Sequence, residues 1–199
     1  NPKVRQAFFY AIDVQKLISN QMDGHAVAAT SFLPEGGAYT KNYHRASTVY
    51  TFDTEKAKSL LKEAGQESIK CELMVNNNWV SALAPQIKEN LASAGIEVTI
   101  NETKIDWAKL APSDSILPFD VMLTPGDPSC FGNDPDLLMT WWYGDNIWTQ
   151  GRSCWKGTPE WTKLQELLQQ AREAKAADQQ PIWNQCFDII AENVPIYPL

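Results

Sequence analysis

Apolar residues recur at helical spacing in the first third of the chain, between polar positions that face water. Residues 2–22 carry such a pattern, and Asp13 is placed to cap a second helical segment inside it. Another helix opens at Asp53 and ends at Gly65, because glycine accepts the left-handed conformation that closes many helices. Residues 25–50 show no steady period, which predicts a long loop between these helices.

The middle of the chain alternates short apolar strands with helical segments. Strands are predicted at Ile69–Val75, Ile96–Ile100 and Phe119–Leu123. A helix over Ser81–Ala94 follows the first strand, and a short helix around Ile105–Ala111 follows the second. This alternation is typical of βαβ crossovers. The sequence therefore predicts an α/β fold with a mixed, mostly parallel sheet covered by helices.

The last third of the chain differs from the rest. Residues 124–157 are rich in glycine, proline and aromatic residues, and only residues 134–143 have a helical pattern there. Two helices then close the chain, over residues 161–174 and about 179–193. Asp178 is expected to cap the last helix. The irregular stretch is thus held between regular elements.

Composition and charge narrow the class of protein. The 199 residues are 44% hydrophobic and 21% charged, which is typical of one globular domain. The net charge of -7 disfavours nucleic acids and anionic membranes as partners, because an acidic surface is repelled by both. No apolar run approaches the roughly 18 residues of a transmembrane helix. The chain opens at Asn1 without a signal peptide, so we expect a piece of a longer protein.

Few residues of the chain suit catalysis or metal binding. Its two histidines, His25 and His44, both fall in the early loop, and no Gly-x-Ser-x-Gly motif occurs. Asp127, Asp134 and Asp136 come closest to a metal-ligand cluster, but acidic residues in turns more often cap helices. We therefore expect no enzyme, no metal site and no cofactor.

The pattern favours a ligand-binding site after the third predicted strand. Residues 123–127 leave that strand at its carboxyl end, where open α/β sheets bind ligands. The carboxylate of Asp127 is suited to hold an ammonium group. Nearby tryptophans offer flat walls for apolar or sugar ligands, although each is also a candidate for the core. The ones we place near the site are Trp141, Trp142 and Trp148.

Several segments, in order along the whole chain, resemble the oligopeptide-, dipeptide- and nickel-binding proteins of ABC importers. The start is similar to the "vRqAl…AiD" opening of that family's second lobe, and the third helix to its "yDpekAkeLLkeAG" segment. The segments are residues 4–8 with 11–13, 50–65, 95–98, 119–121, 134–136 and 193–199.

The resemblance implies a two-lobe receptor of the periplasmic-binding-protein type II class. Residues 1–199 would form its second, C-terminal-side lobe, with the first lobe and the signal peptide preceding Asn1. Such a receptor captures peptides outside the cytoplasmic membrane, in the periplasm or as a lipoprotein, and delivers them to an ABC permease. We expect it to be monomeric.

The resemblance also assigns roles to single residues. Asp127 matches the aspartate that pairs with the α-amino group of a bound peptide, and Asp134 is the alternative anchor. Asn78 lies in an asparagine run where dipeptide binders carry a basic residue, which favours a longer peptide or an uncharged ligand. Three alternatives remain: an oligosaccharide receptor on the same scaffold, a sensory ligand-binding module, and a hydrolase.

The four cysteines form no CxxC pair. Since export would permit oxidation, we predict a disulfide between Cys130 and Cys154, which flank the irregular stretch. Cys71 on a strand and Cys186 on a helix are predicted to be buried free thiols.

Overall fold

The computed structural model describes most of the chain. The described residues are 1–31, 46–103, 119–126, 134–146 and 148–199. Three predictions lie outside them: the short helix around residues 105–111, and the roles of Asp127 and Cys130.

The described strands form one sheet that is parallel throughout, where the prediction was a mixed, mostly parallel sheet. They are β1 (Ile69–Val75), β2 (Ile96–Asn101) and β3 (Val121–Leu123), in the order β2-β1-β3. Strand β3 is shorter than predicted, because the carboxylate of Asp120 accepts a hydrogen bond from the backbone N–H of Glu72 at 2.8 Å. A side chain thus takes a position that a further ladder bond would need.

The helices of the first half pack around this sheet. They are α1 (Pro2–Ala11), α2 (Val14–Gln21), α3 (Thr54–Glu63), α4 (Asn78–Ser81) and α5 (Ala84–Ser93). Asp13 and Asp53 cap α2 and α3 as predicted, by accepting from the N–H groups of Lys16 and Lys56.

The helix predicted over Ser81–Ala94 is wrong in its bounds, because the chain forms α4 and α5 there instead. Pro85 lies in the first turn of α5. A proline ring clashes with the carbonyl one turn earlier, so one helix does not run through this point.

Four described helices follow the sheet: α6 (Pro135–Tyr143), α7 (Thr149–Ser153), α8 (Pro159–Glu173) and α9 (Ala176–Asn193). The short α7 was not predicted. Helix α9 begins earlier than predicted, so Asp178 does not cap it and lies in its first turn. A carboxylate there still suits the positive end of the helix dipole.

The described residues form two hydrophobic clusters. One joins β1 and β2 to α1, α3 and α5, and the other joins α6, α8 and α9 around Tyr143 and Phe187. Hydrogen bonds connect the two: the Arg5 guanidinium donates to the carbonyl of Asn193 at 2.6 Å, and the Tyr50 hydroxyl to that of Ala191 at 2.6 Å. No helix within the described ranges is long and apolar enough to cross a membrane.

Candidate functional site

Strands β1 and β3 end side by side at the carboxyl edge of the sheet. Val75 pairs with Leu123, and the N–H of Asn76 donates to the carbonyl of Leu123 at 3.1 Å. The chain then turns into α4, where Trp79 is 56% exposed. Parallel strands place their carboxyl-end loops together, which is where open α/β sheets bind ligands.

The loop after β3 touches a tryptophan of α6. A Cβ atom added to Gly126 would lie 3.6 Å from Cζ2 of Trp142, which is ordinary van der Waals contact. Trp142 therefore connects α6 with the loop that leads into Asp127. The tryptophan-rich part of the chain borders the sheet edge that we predicted as the ligand site.

A tight turn between α6 and α7 orients the other aromatic side chains. The Asn146 amide donates to the carbonyls of Thr140 at 2.8 Å and Trp141 at 3.1 Å, and its oxygen accepts from the N–H of Trp148 at 2.9 Å. Thr149, fully buried, donates its hydroxyl to the carbonyl of Gly144 at 2.6 Å. Asn146 thus determines where Trp148 lies relative to the end of α6.

Gly144 is required for this turn. A Cβ atom at this position would lie 2.5 Å from the carbonyl oxygen of Thr140, well inside van der Waals contact. The clash is with backbone, which has little freedom to move. Any side chain at position 144 would therefore displace the turn.

The turn brings Arg152 of α7 over three indole rings. Its guanidinium carbon lies 5.0 Å from the ring centroid of Trp141, 5.2 Å from that of Trp142 and 5.5 Å from that of Trp148. Each distance is within the range of a cation–π interaction. We call Arg152 with Trp141, Trp142 and Trp148 the tryptophan–arginine cluster.

Arg152 is a partly buried cation without a counter-charge among the described residues. Its only acceptor there is the carbonyl of Trp141, at 3.4 Å from Nη1. Burial lowers the pKa of Arg152 to about 10, because water no longer fully solvates the charged form. Arg172, in contrast, holds the carboxylate of Asp136 through Nη2 at 2.7 Å and Nε at 2.9 Å.

The structure brings some predicted site residues together and separates others. Trp141, Trp142 and Trp148 meet in one cluster, and their role in ligand binding stays a prediction. Asp134 is exposed and caps α6, with its carboxylate accepting from the N–H of Asp136 at 2.9 Å. Asn78 is exposed at the start of α4, after the carboxyl end of β1.

The structure describes one of the two cysteines that were predicted to form a disulfide. Cys154 is an exposed free thiol, and its predicted partner Cys130 lies outside the described residues. The bond in oxidised protein stays a prediction. Cys71 and Cys186 are free, as predicted, although only Cys186 is fully buried.

Two candidate residues escaped the sequence analysis. Arg152 stands four positions after Trp148, the spacing of neighbours on a helix, but the glycine- and proline-rich composition of residues 124–157 predicts irregular structure there. Trp79 directly follows the asparagine run that contains Asn78, and it is the most exposed tryptophan among the described residues.

No group of three or more His, Cys, Asp or Glu side chains within the described part of the chain is arranged to hold a metal ion. Asp136, one of the three aspartates considered above, already accepts from Arg172 and Thr140. The tryptophan–arginine cluster, with its aromatic and cationic side chains, is suited to binding a ligand.

A helix-covered parallel sheet with aromatic side chains beside its carboxyl edge is an arrangement in which α/β proteins bind ligands. The chain matches the bacterial extracellular solute-binding proteins, family 5, over residues 1–161. It therefore belongs to this family, which consists of binding proteins. The predicted family resemblance and fold class are confirmed.

One sequence relative matches half of the chain. A glutathione-binding protein, GsiB, from Salmonella choleraesuis is 35% identical over 103 residues, which is 50% of this chain and 19% of that protein. The matched segment is thus a small part of the relative's length.

Solved structures match the whole chain in fold. The ABC transporter substrate-binding protein CtaP from Listeria monocytogenes has a TM-score of 0.81 and 23% identity, over 100% of this chain and 40% of CtaP. The periplasmic binding protein DppA from Helicobacter pylori, solved with the peptide STSA, has a TM-score of 0.77 and 22% identity, over 100% of this chain and 38% of DppA. This chain spans about two fifths of either structure.

Proposed function

We propose that this chain is one lobe of a longer ABC-transporter solute-binding protein. The receptor captures peptides outside the cytoplasmic membrane and delivers them to a permease. The observation that carries the proposal is the tryptophan–arginine cluster, packed against the loop at the carboxyl end of β3, in a chain of the family 5 solute-binding proteins.

Peptides are favoured as ligands for two reasons. One relative is named for binding glutathione, a tripeptide, and one structural neighbour was solved with a tetrapeptide. The site also combines aromatic surface with a cation and, in sequence, with the carboxylate of Asp127. Opposite charges on the protein suit the two charged ends of a peptide.

The proposal predicts that the full-length receptor binds peptides and that this chain alone binds them at least tenfold more weakly. A two-lobe receptor removes its ligand from water by closing, so one lobe offers only part of the contacts. Calorimetry with glutathione and Ser-Thr-Ser-Ala, titrated into both proteins, measures the difference. Equal affinity for the single lobe would contradict the shared cleft and favour a self-contained sensory module.

Asp127→Asn supplies the matched variant for this measurement. Losing one partner of a desolvated charge pair costs about 2–5 kcal/mol of binding, or roughly one and a half to three and a half orders of magnitude in affinity. We expect that loss for peptides with a free α-amino group and none for N-acetylated ones. An unchanged affinity would favour Asp134, instead of Asp127, as the residue that binds the α-amino group.

An oligosaccharide is the second candidate ligand, because exposed tryptophans form stacking surfaces for sugars. Trp79 is 56% exposed and Trp141 is 42% exposed. Maltotriose and cellotriose in the same calorimeter distinguish the two ligand classes. Sugar binding that Trp79→Ala abolishes and Asp127→Asn leaves unchanged would favour this candidate over peptides.

A further inference from the structure

We propose that Arg152, held by Trp141, Trp142 and Trp148, binds a carboxylate of the ligand and thereby selects anionic ligands. This inference rests on the proposed function and adds the chemical class that the site recognises. Nothing in the pattern of the sequence assigned Arg152 to the site.

The first step is the state of the guanidinium. A guanidinium has five N–H donors in a flat fork that matches a carboxylate. Among the described residues, Arg152 uses one of them, toward the carbonyl of Trp141, and no carboxylate lies within ion-pair distance. Most of its donors therefore have no acceptor from the described part of the protein.

The second step is the cost of this arrangement. A cation that is partly removed from water loses solvation, and an ion pair or an anionic ligand is the usual compensation. Arg172 of the same protein has such an ion pair, because its guanidinium donates two hydrogen bonds to the carboxylate of Asp136. Arg152 receives only the quadrupoles of three indole rings, which stabilise a cation but leave its charge uncompensated.

The third step is preorganisation. The guanidinium carbon lies within 5.5 Å of three ring centroids, and Asn146 ties α6 to the start of α7 through three hydrogen bonds. A side chain that is already ordered loses less rotamer freedom when it binds a ligand. The cluster is thus built to present one cation in a defined orientation.

The fourth step is position. Trp142 lies beside Arg152 and also beside Gly126, which belongs to the loop that leaves the carboxyl end of β3. This is the edge of the sheet where open α/β folds bind ligands. Arg152 is therefore placed beside the sheet edge at which the proposed function puts the ligand.

The test compares ligands with and without a free carboxylate in the full-length receptor. The probes are Ser-Thr-Ser-Ala with its C-terminal amide, and glutathione with its glycine ethyl ester. We expect the wild type to bind the free acids roughly 10- to 100-fold more tightly, the usual strength of hydrogen bonds to a charged group. Arg152→Gln should remove that preference, and Arg152→Lys should retain part of it.

Arg172→Gln is the matched control, because it removes an arginine that already holds a carboxylate of the protein. It should retain the full preference for free acids. A preference that persists in Arg152→Gln, or that the wild type lacks, would overturn the inference.

A second measurement needs no peptide and separates this inference from the proposed function. Iodide, an anion, and acrylamide, a neutral molecule, both quench tryptophan fluorescence. At constant ionic strength, Arg152→Gln should lower quenching by iodide relative to acrylamide, and Arg172→Gln should not. If neither peptide binds but this difference appears, peptide capture is wrong and the anion site stands. If iodide quenching is unchanged in Arg152→Gln, the anion site is wrong.

Discussion

Burial changes the chemistry of individual side chains in this protein, and the cysteines show it most directly. Cys186 lies fully buried on α9 among the side chains of the second cluster. Loss of solvation raises the pKa of its thiol to about 12, so it stays protonated at neutral pH. Cys154 is free and exposed at the end of α7.

A maleimide should therefore distinguish the two thiols in native, reduced protein. Since the thiolate is the reacting species, Cys154 should react quickly and Cys186 only after unfolding. Peptide mapping by mass spectrometry reads both sites in one sample. Labelling of Cys186 at the rate of Cys154 would show that α9 opens readily.

The same experiment on oxidised protein addresses the predicted disulfide. A bond from Cys154 to Cys130 would protect Cys154 from the maleimide and stabilise the fold by about 3 kcal/mol in the chain-entropy model. Rapid labelling of Cys154 in oxidised protein would rule the bond out.

At the scale of elements, the cap of α6 combines a structural role with a predicted binding role. Asp134 was predicted as an alternative ligand anchor, and in the structure its carboxylate caps α6, the helix that carries Trp141 and Trp142. One residue could thus affect ligand binding directly or through the helix. Two substitutions distinguish these effects.

Asp134→Ala should lower the free energy of unfolding by about 1 kcal/mol, because it leaves the N–H groups of Asp136 and Leu137 without their acceptor. Asp134→Asn retains a capping oxygen and should leave the stability nearly unchanged. Urea denaturation measures both. If Asp134→Asn keeps its stability and loses peptide binding, Asp134 is an anchor as well as a cap.

At the scale of the whole molecule, a group of aromatic rings connects the two hydrophobic clusters. The ring of Tyr50 lies 4.9 Å from that of Tyr10 and 5.7 Å from that of Tyr197, and its hydroxyl donates to the carbonyl of Ala191. Burial raises the pKa of Tyr50, and it raises the pKa of Tyr197 to about 12. Both phenols are thus held neutral in the folded protein.

This arrangement predicts a loss of stability in alkali. The unfolded chain releases these protons near pH 10, before the folded chain does, so stability is complete below that pH and falls as the pH rises toward 12. Urea denaturation from pH 7 to 11 follows the change. Tyr50→Phe should cost about 1 kcal/mol at pH 7 and flatten the alkaline decline. A free energy of unfolding that stays constant to pH 11 would contradict the prediction.

Several features were predictable from the sequence because they depend on near neighbours in the chain. Asp13 and Asp53 cap their helices by accepting from N–H groups three residues later in the chain. Gly65 adopts a positive φ of 76° where its helix ends. The bounds of β1 were also correct, since its apolar residues alternate with Lys70 and Glu72 and the strand is followed by an asparagine run. A cap, a helix stop and an apolar run each lie within one turn or one strand.

Other features depend on residues that only the tertiary structure brings together. Asp120 replaces a ladder bond because β3 lies beside Glu72, far earlier in the chain. Arg152 acquires its surroundings from two helices, the turn at Asn146 and, through Trp142, the loop after β3. The sequence by itself determined the α/β class, the caps of α2 and α3, and the tryptophan-rich segment. Only the fold decided that these tryptophans enclose a cation, because burial and charge compensation depend on contacts between distant parts of the chain.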